Sequence, residues 1–121
     1  METDRIRETL ERNRISFDES LPEKLGIYLQ LLLEWNKKMD LTAVCGEDEM
    51  IDRHFIDSLA VLRSEMIGQN ASVIDVGTGA GFPGMVLAIA RADLKVTLMD
   101  AQQKRLHFLE AVRRKIHDHL I

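Results

Sequence analysis

Residues 75–84 read DVGTGAGFPG, with glycine at 77, 79, 81 and 84 and apolar residues on both sides. No other stretch restricts the possible folds so strongly. The preceding SVIDV at 72–76 reads as a short buried strand, and Pro83 through Arg91 is apolar enough for a helix covered on most sides. LKVTLMD at 94–100 is a second strand, rich in β-branched and aliphatic residues. The segment after it repeats Leu106, Leu109, Val112, Ile116 and Leu120 at helical intervals. The order β-α-β-α predicts two parallel strands joined by a right-handed crossover. In such sheets ligands sit beyond the carboxyl ends of the strands, which is where the glycine turn falls.

Upstream of GQNAS at 68–72 the patterns are helical. Ser20 and Glu23 have capping-box spacing, and Pro22 lies in the first turn, where its missing N–H costs little. Leu25, Tyr28 or Leu29, Leu32, Trp35 and Met39 then form one apolar stripe, read as core. A further helix is expected from about Glu47 to Ile67, with Ile51, Phe55, Leu59 and Leu62 on one side. The expected organisation is therefore a helical region, 1–68, followed by a partial α/β domain, 69–121.

A chain of 121 residues with 45% hydrophobic content supports one small domain with a real core. No apolar run approaches the roughly 20 residues that cross a bilayer, and METDRIRETLERNR is too charged for a secretory signal. A cytoplasmic location and no membrane partner are expected. The single cysteine, Cys45, has no second cysteine for a disulfide or a zinc pair, so it reads as an ordinary thiol and no metal site is expected.

The net charge of -4 argues against nucleic-acid binding by overall field. Any RNA contact would be local. Residues 1–60 carry 8 Lys/Arg against 14 Asp/Glu, whereas residues 61–121 carry 8 against 6. Lys104, Arg105, Arg113, Arg114 and Lys115 fall in one short segment, the best candidate for touching phosphates; a solvated helix face explains them equally well.

The glycine turn excludes some ligands by spacing. With Gly77 and Gly79, the dinucleotide fingerprint needs glycine or alanine at 82, where this chain has Phe82. A Walker loop needs G-K-S/T, and no lysine occurs between residues 72 and 94. Glycines permit positive φ and a close ligand approach, and the following helix N–H groups favour a negatively charged ligand group. Asp100, ending the second strand, lies where a carboxylate accepts hydrogen bonds from both ribose hydroxyls, which points to a nucleoside. The remaining pattern, D-x-G-x-G-x-G from Asp75, resembles the first motif of class I methyltransferases that bind S-adenosylmethionine.

Four longer stretches extend the resemblance. EWNKKMDLTAV at 34–44, DRHFIDSL at 52–59, VIDVGTGAGFPGMVLAI at 73–89 and LMDAQQKRLHFLEAV at 98–112 together look like the glucose-inhibited division protein B (GidB/RsmG) family. That resemblance implies an S-adenosylmethionine-dependent methyltransferase acting on N7 of a guanine in small-subunit ribosomal RNA. It implies cofactor contacts at Asp75, Gly77, Thr78, Gly79, Gly81, Phe82 and Asp100. Asn36, Leu41, Thr42, Arg53, His54, Asp57 and Ser58 match the family's helical motifs, and Lys104 and Arg105 match its K-R pair; Asn36, Arg53, His54, Lys104 and Arg105 are the substrate-side candidates. Asp40 departs from the family's usual asparagine and adds a negative charge there.

Arg53 with Asp57, and His54 with Ser58, are four residues apart and can pair along one helix, a structural role for His54. Guanine N7 has a free lone pair and no proton to remove, so no catalytic base is expected; orientation and desolvation would suffice.

The expected fold class is α/β: an N-terminal helical segment, then the first β-α-β-α half of a class I, Rossmann-like parallel sheet, incomplete at the C-terminus. About seven strands make such a sheet, and this sequence supplies two. Two parallel strands leave apolar edges and faces open, which predicts self-association. The alternative function is a catalytically silent fragment that binds S-adenosylmethionine weakly or only self-associates.

Overall fold

The computed structural model describes residues 2–39, 46–63 and 66–120. Helix α1 (Glu2–Arg12) and the long α2 (Leu21–Met39) precede a composite helix of α3 (Glu47–Glu49), a π-helical segment (Met50–Phe55) and α4 (Ile56–Arg63). Strand β1 (Ser72–Val76), helix α5 (Gly84–Ala90), strand β2 (Lys95–Met99) and helix α6 (Gln103–Leu120) complete the described elements. β1 and β2 pair in parallel with Ser72 opposite Lys95 and Val76 opposite Met99. The expected β-α-β-α order and parallel pairing are present.

Helix α1 is strongly amphipathic and buries Ile6, Thr9 and Leu10 against α2. On α2, Leu25, Tyr28, Leu29 and Leu32 are buried and Trp35 packs against them, as the stripe requires. The start of α2 rests on a residue that the capping pattern leaves out: Asp18 Oδ1 accepts from both the Ser20 N–H (2.7 Å) and the Ser20 hydroxyl (2.6 Å).

The helix expected over Glu47–Ile67 is shorter and less regular. Its last described turn ends at Arg63, and residues 66 and 67 are outside any helix. Met50 and Phe55 are five apart and both buried, as is Ile51. A regular α-helix turns about 500° over five residues and splays such a pair, whereas the wider π turn brings i and i+5 onto one face. Burial of both side chains thus selects the wider turn.

One hydrophobic core runs from α1 to α6. At its centre Tyr28 stacks on Phe55 (centroids 5.8 Å) and also meets Phe82 (5.7 Å) and Phe108 (6.2 Å). These four rings come from α2, the π segment, the glycine turn and α6, so the helical part and the strand-bearing part share one packing unit. The sheet is covered on one face only. Side chains alternate across a strand, and the uncovered face shows Ile74, Val76 and Met99, which are 63%, 76% and 49% exposed.

Among the described residues no helix is long and apolar enough to cross a membrane, and no group of three or more His, Cys, Asp or Glu is placed to hold a metal ion.

Candidate functional site

The glycine turn is tied down by backbone bonds to β2 and within itself, and by side chains that reach it from outside. Gly77 and Thr78 N–H both donate to Met99 O at the end of β2 (2.8 and 3.0 Å), fastening the start of the turn to the neighbouring strand. Gly81 and Phe82 N–H then donate back to Thr78 O (3.0 and 3.2 Å), and Met85 N–H to Gly81 O (2.8 Å). Gly77, Gly79 and Gly81 have φ of 72°, 61° and 110°, a path that side-chain-bearing residues rarely follow. The Phe82–Pro83 peptide is cis.

Two carboxylates brace this path from opposite sides. Asp75, on the covered face of β1, accepts on Oδ2 from the Thr78 hydroxyl (2.7 Å) and the Gly84 N–H (2.9 Å). Asp100, just beyond β2, accepts on Oδ2 from the Gly79 N–H (2.8 Å) and on Oδ1 from the Gln102 N–H (2.9 Å). Arg105 Nη1 lies 3.4 Å from the same Oδ1. The Gln102 N–H leads the hydrogen bonds that hold the Asp100 carboxyl below the usual range, with those from Gly79 and Arg105 behind it and burial opposing.

From below, the buried Tyr28 hydroxyl donates to Ala80 O (2.5 Å). Burial first, and the Asp75 charge second, push the Tyr28 phenol well above its ordinary value, so it keeps the proton it donates. A Cβ at Gly81 would lie 2.5 Å from that hydroxyl, and one at Gly84 would lie 2.7 Å from Asp75 Oδ2. These two glycines are required by close packing. Gly77 and Gly79 have nothing within 4 Å of the Cβ position and face open space.

The sequence-predicted residues therefore divide. Gly77 and Asp100 line an open depression of about 540 Å³ along the carboxyl ends of the strands, together with Val76, Met99 and Leu106, while Gly79 meets this group through its bond to Asp100. Asp75, Thr78, Gly81 and Phe82 shape the turn from inside; Thr78 and Gly81 are buried. Two other depressions border Arg91, at the opposite ends of the strands, away from the turn.

The substrate-side candidates come from α2, the π segment and α6. Arg53 is exposed and pairs with Glu49 (3.3 Å), one turn before it, in place of the expected Asp57. The His54 ring lies against Phe82 (centroids 5.0 Å), and its Nε2 is buried without a hydrogen-bond partner, so the expected pairing with Ser58 is not made by that nitrogen. Arg105 turns inward to Asp100, Lys104 is exposed on α6, and Asn36 is half-buried near the end of α2. Arg113 and Arg114 both pair with Glu110, which offsets part of the basic run on α6. Leu41, Thr42, Asp40 and Cys45 lie outside the described residues.

Sequence reasoning placed Tyr28 only in the core and gave Gly84 no role. The signal for Gly84 was present as the fourth glycine of the motif; nothing local in α2 points from Tyr28 to Ala80, 52 residues away.

Parallel strands, a positive-φ glycine turn beside a ligand-sized hollow and a carboxylate at the end of the second strand define a Rossmann-like α/β protein, present here as its first β-α-β-α portion. The family model described as "GidB: rRNA small subunit methyltransferase G" matches residues 21–120. The chain belongs to that family. It is 45% identical over 98 residues to the ribosomal RNA small subunit methyltransferase G of Clostridium botulinum, covering 81% of this chain and 41% of that protein. The protein of the same name from Clostridium beijerinckii is 50% identical over 94 residues (78% and 39%), and that from Fusobacterium nucleatum 43% identical over 113 residues (93% and 48%). The chain thus spans less than half the length of the relatives it matches.

Proposed function

We propose that this chain is the cofactor-binding part of an S-adenosylmethionine-dependent methyltransferase that acts on N7 of a guanine in small-subunit ribosomal RNA, in the cytoplasm. The observation that carries the cofactor class is how the turn spends its N–H groups. Seven of them, at Gly77, Thr78, Gly79, Gly81, Phe82, Gly84 and Met85, donate within the chain. A phosphate-binding loop instead aims its N–H groups at the ligand. A nucleoside without phosphate, presenting ribose and an amino-acid tail, fits a turn with open space over Gly77 and Gly79 and a carboxylate beside them. The helix expected to supply ligand-facing N–H groups also differs: α5 has seven residues, and its first N–H is taken by Asp75.

In this reading Gly77 and Gly79 lie against the ligand, Asp100 accepts from the ribose, and Asp75, Thr78, Gly81 and Phe82 keep the turn in shape. S-adenosylmethionine supplies an electrophilic methyl group when bound. The chain's own residues position the partners and exclude water, and none needs to remove a proton from guanine N7. Asn36, Arg53, His54, Lys104 and Arg105 remain the candidates on the RNA side, Arg105 the weakest of them because its guanidinium faces Asp100.

The test is calorimetric titration of the chain with S-adenosylmethionine, NAD and ATP, together with labelled methyl transfer to small-subunit RNA. Binding of S-adenosylmethionine alone supports the cofactor assignment; preference for either phosphorylated ligand overturns it. A second reading, binding without transfer or self-association only, is favoured by the open apolar face of the sheet. Binding without any labelled product selects that reading.

A further inference from the structure

The Asp100 carboxylate stands at the mouth of the proposed site, yet its side chain is only 4% exposed and both oxygens already accept hydrogen bonds. Oδ2 keeps a second lone pair beside the Gly79 bond, so the obstacle to a ribose is access rather than acceptor capacity. Its two hydroxyls need acceptor positions that solvent scarcely reaches. Either the carboxylate or the turn has to move.

The bonds around it differ in how easily they yield. Gly77 and Thr78 N–H are held by a strand carbonyl, Met99 O, which cannot turn away without breaking the sheet. Gly79 N–H is held by a side chain, which releases by rotation about its χ angles. The Gly84 N–H also meets a carboxylate, but Asp75 lies on the covered face of β1 and is held there by the Thr78 hydroxyl as well. Gly79 sits at φ 61°, and nothing lies within 4 Å of the place a side chain would take there. On the far side of Asp100, Arg105 Nη1 is 3.4 Å from Oδ1, a long contact, while its buried Nε has no partner. That guanidinium has donor capacity in reserve to hold the carboxylate when the Gly79 bond is given up.

Resting on the cofactor reading above, we propose that Asp100 is a latch on the glycine turn: in the free protein its Oδ2 holds the Gly79 N–H, and a nucleoside with both ribose hydroxyls enters by taking that oxygen over, with Arg105 as the positioning residue that keeps the carboxylate in place. The exchange replaces one N–H···O bond with two O–H···O bonds. A 2′-deoxynucleoside offers only one replacement donor and opens the latch poorly.

Amide hydrogen exchange followed by NMR on the 121-residue chain tests this, with the Gly84 amide as internal reference. In the free protein Gly79 is protected, and Asp100→Ala speeds its exchange about tenfold or more while Gly84 stays protected. Unchanged Gly79 exchange in Asp100→Ala overturns the latch. Where Gly84 exchange also rises, the variant has lost structure, and the wild-type protein with ligand decides. Saturating S-adenosylmethionine then lowers Gly79 protection and leaves Gly77 and Thr78 as they were. Adenosine does the same and 2′-deoxyadenosine does so far less. S-adenosylmethionine bound with Gly79 as protected as before overturns the latch but leaves the cofactor reading intact. Failure of S-adenosylmethionine to bind overturns the cofactor reading, and the free-protein comparison of wild type with Asp100→Ala still decides whether Asp100 holds Gly79.

Discussion

Gly79 and Gly84 belong to one motif and both lack a side chain, yet one faces open space and the other is packed against Asp75 and Leu98. A methyl at Gly79 enters the open cradle, with a backbone strain of about 1–2 kcal/mol from its positive φ. Gly79→Ala should therefore keep the fold and weaken S-adenosylmethionine binding, read by thermal melting beside calorimetry; undiminished affinity would remove Gly79 from the site. A methyl at Gly84 strikes Asp75 and Leu98, so Gly84→Ala should lower stability by about 1–3 kcal/mol whether or not ligand is present. Tyr28→Phe leaves the Ala80 carbonyl without its buried donor and should cost about 1–3 kcal/mol, measured by denaturant unfolding. The raised Tyr28 value gives a sign as well: the unfolded phenol ionises near pH 10 while the folded one keeps its proton. Stability should fall as pH rises above about 10, and Tyr28→Phe should flatten that fall. That glycines 77, 79 and 81 form a tight turn, and that Asp100 closes the second strand beside it, was legible from the sequence pattern. Tyr28 was not, because its partner is 52 residues away and only packing brings them together.

Among the elements, the π segment and the connection before β1 show where local pattern is insufficient. Periodicity correctly put Ile51, Phe55 and Leu59 on a buried face, and it could not foresee that Met50 would join them by widening the helix. The connection is held by Arg91, which donates to Ile67 O (3.1 Å) and Gly68 O (3.2 Å), and by Asp93, which accepts from the Asn70 N–H (2.8 Å) and pairs with Arg91 (2.7 Å). The Arg91 hydrogen bond foremost, then that from Asn70, lower the Asp93 carboxyl to about 2. An unfolded aspartate titrates near 3.9, so the contribution of this tie is complete above about pH 4 and is lost as pH falls toward 2. Unfolding measured across that window should be less pH-dependent in Asp93→Asn, and an identical slope would show that the tie does not couple to folding.

For the molecule as a whole, the covered and uncovered faces of the sheet set its behaviour. Tyr28, Phe55, Phe82 and Phe108 weld the helices to the covered face, whereas Ile74, Val76 and Met99 leave the other face apolar and open. Exposed apolar patches of this kind favour association. Sedimentation should show concentration-dependent self-association that Ile74→Thr with Val76→Thr reduces, and a monomer at all concentrations would exclude it. The amino-acid sequence by itself determined the β-α-β-α order, the parallel pairing, the glycine turn at the strand ends and the family, because these follow from short-range spacing, residue chemistry and chain connectivity. Only the tertiary structure decided that Asp75 serves the inside of the turn while Asp100 closes over Gly79, that Arg105 points inward, and that the turn's N–H groups are spent within the chain. Hydrogen bonds between segments distant in sequence depend on where packing places each backbone, and spacing along the chain carries no record of that.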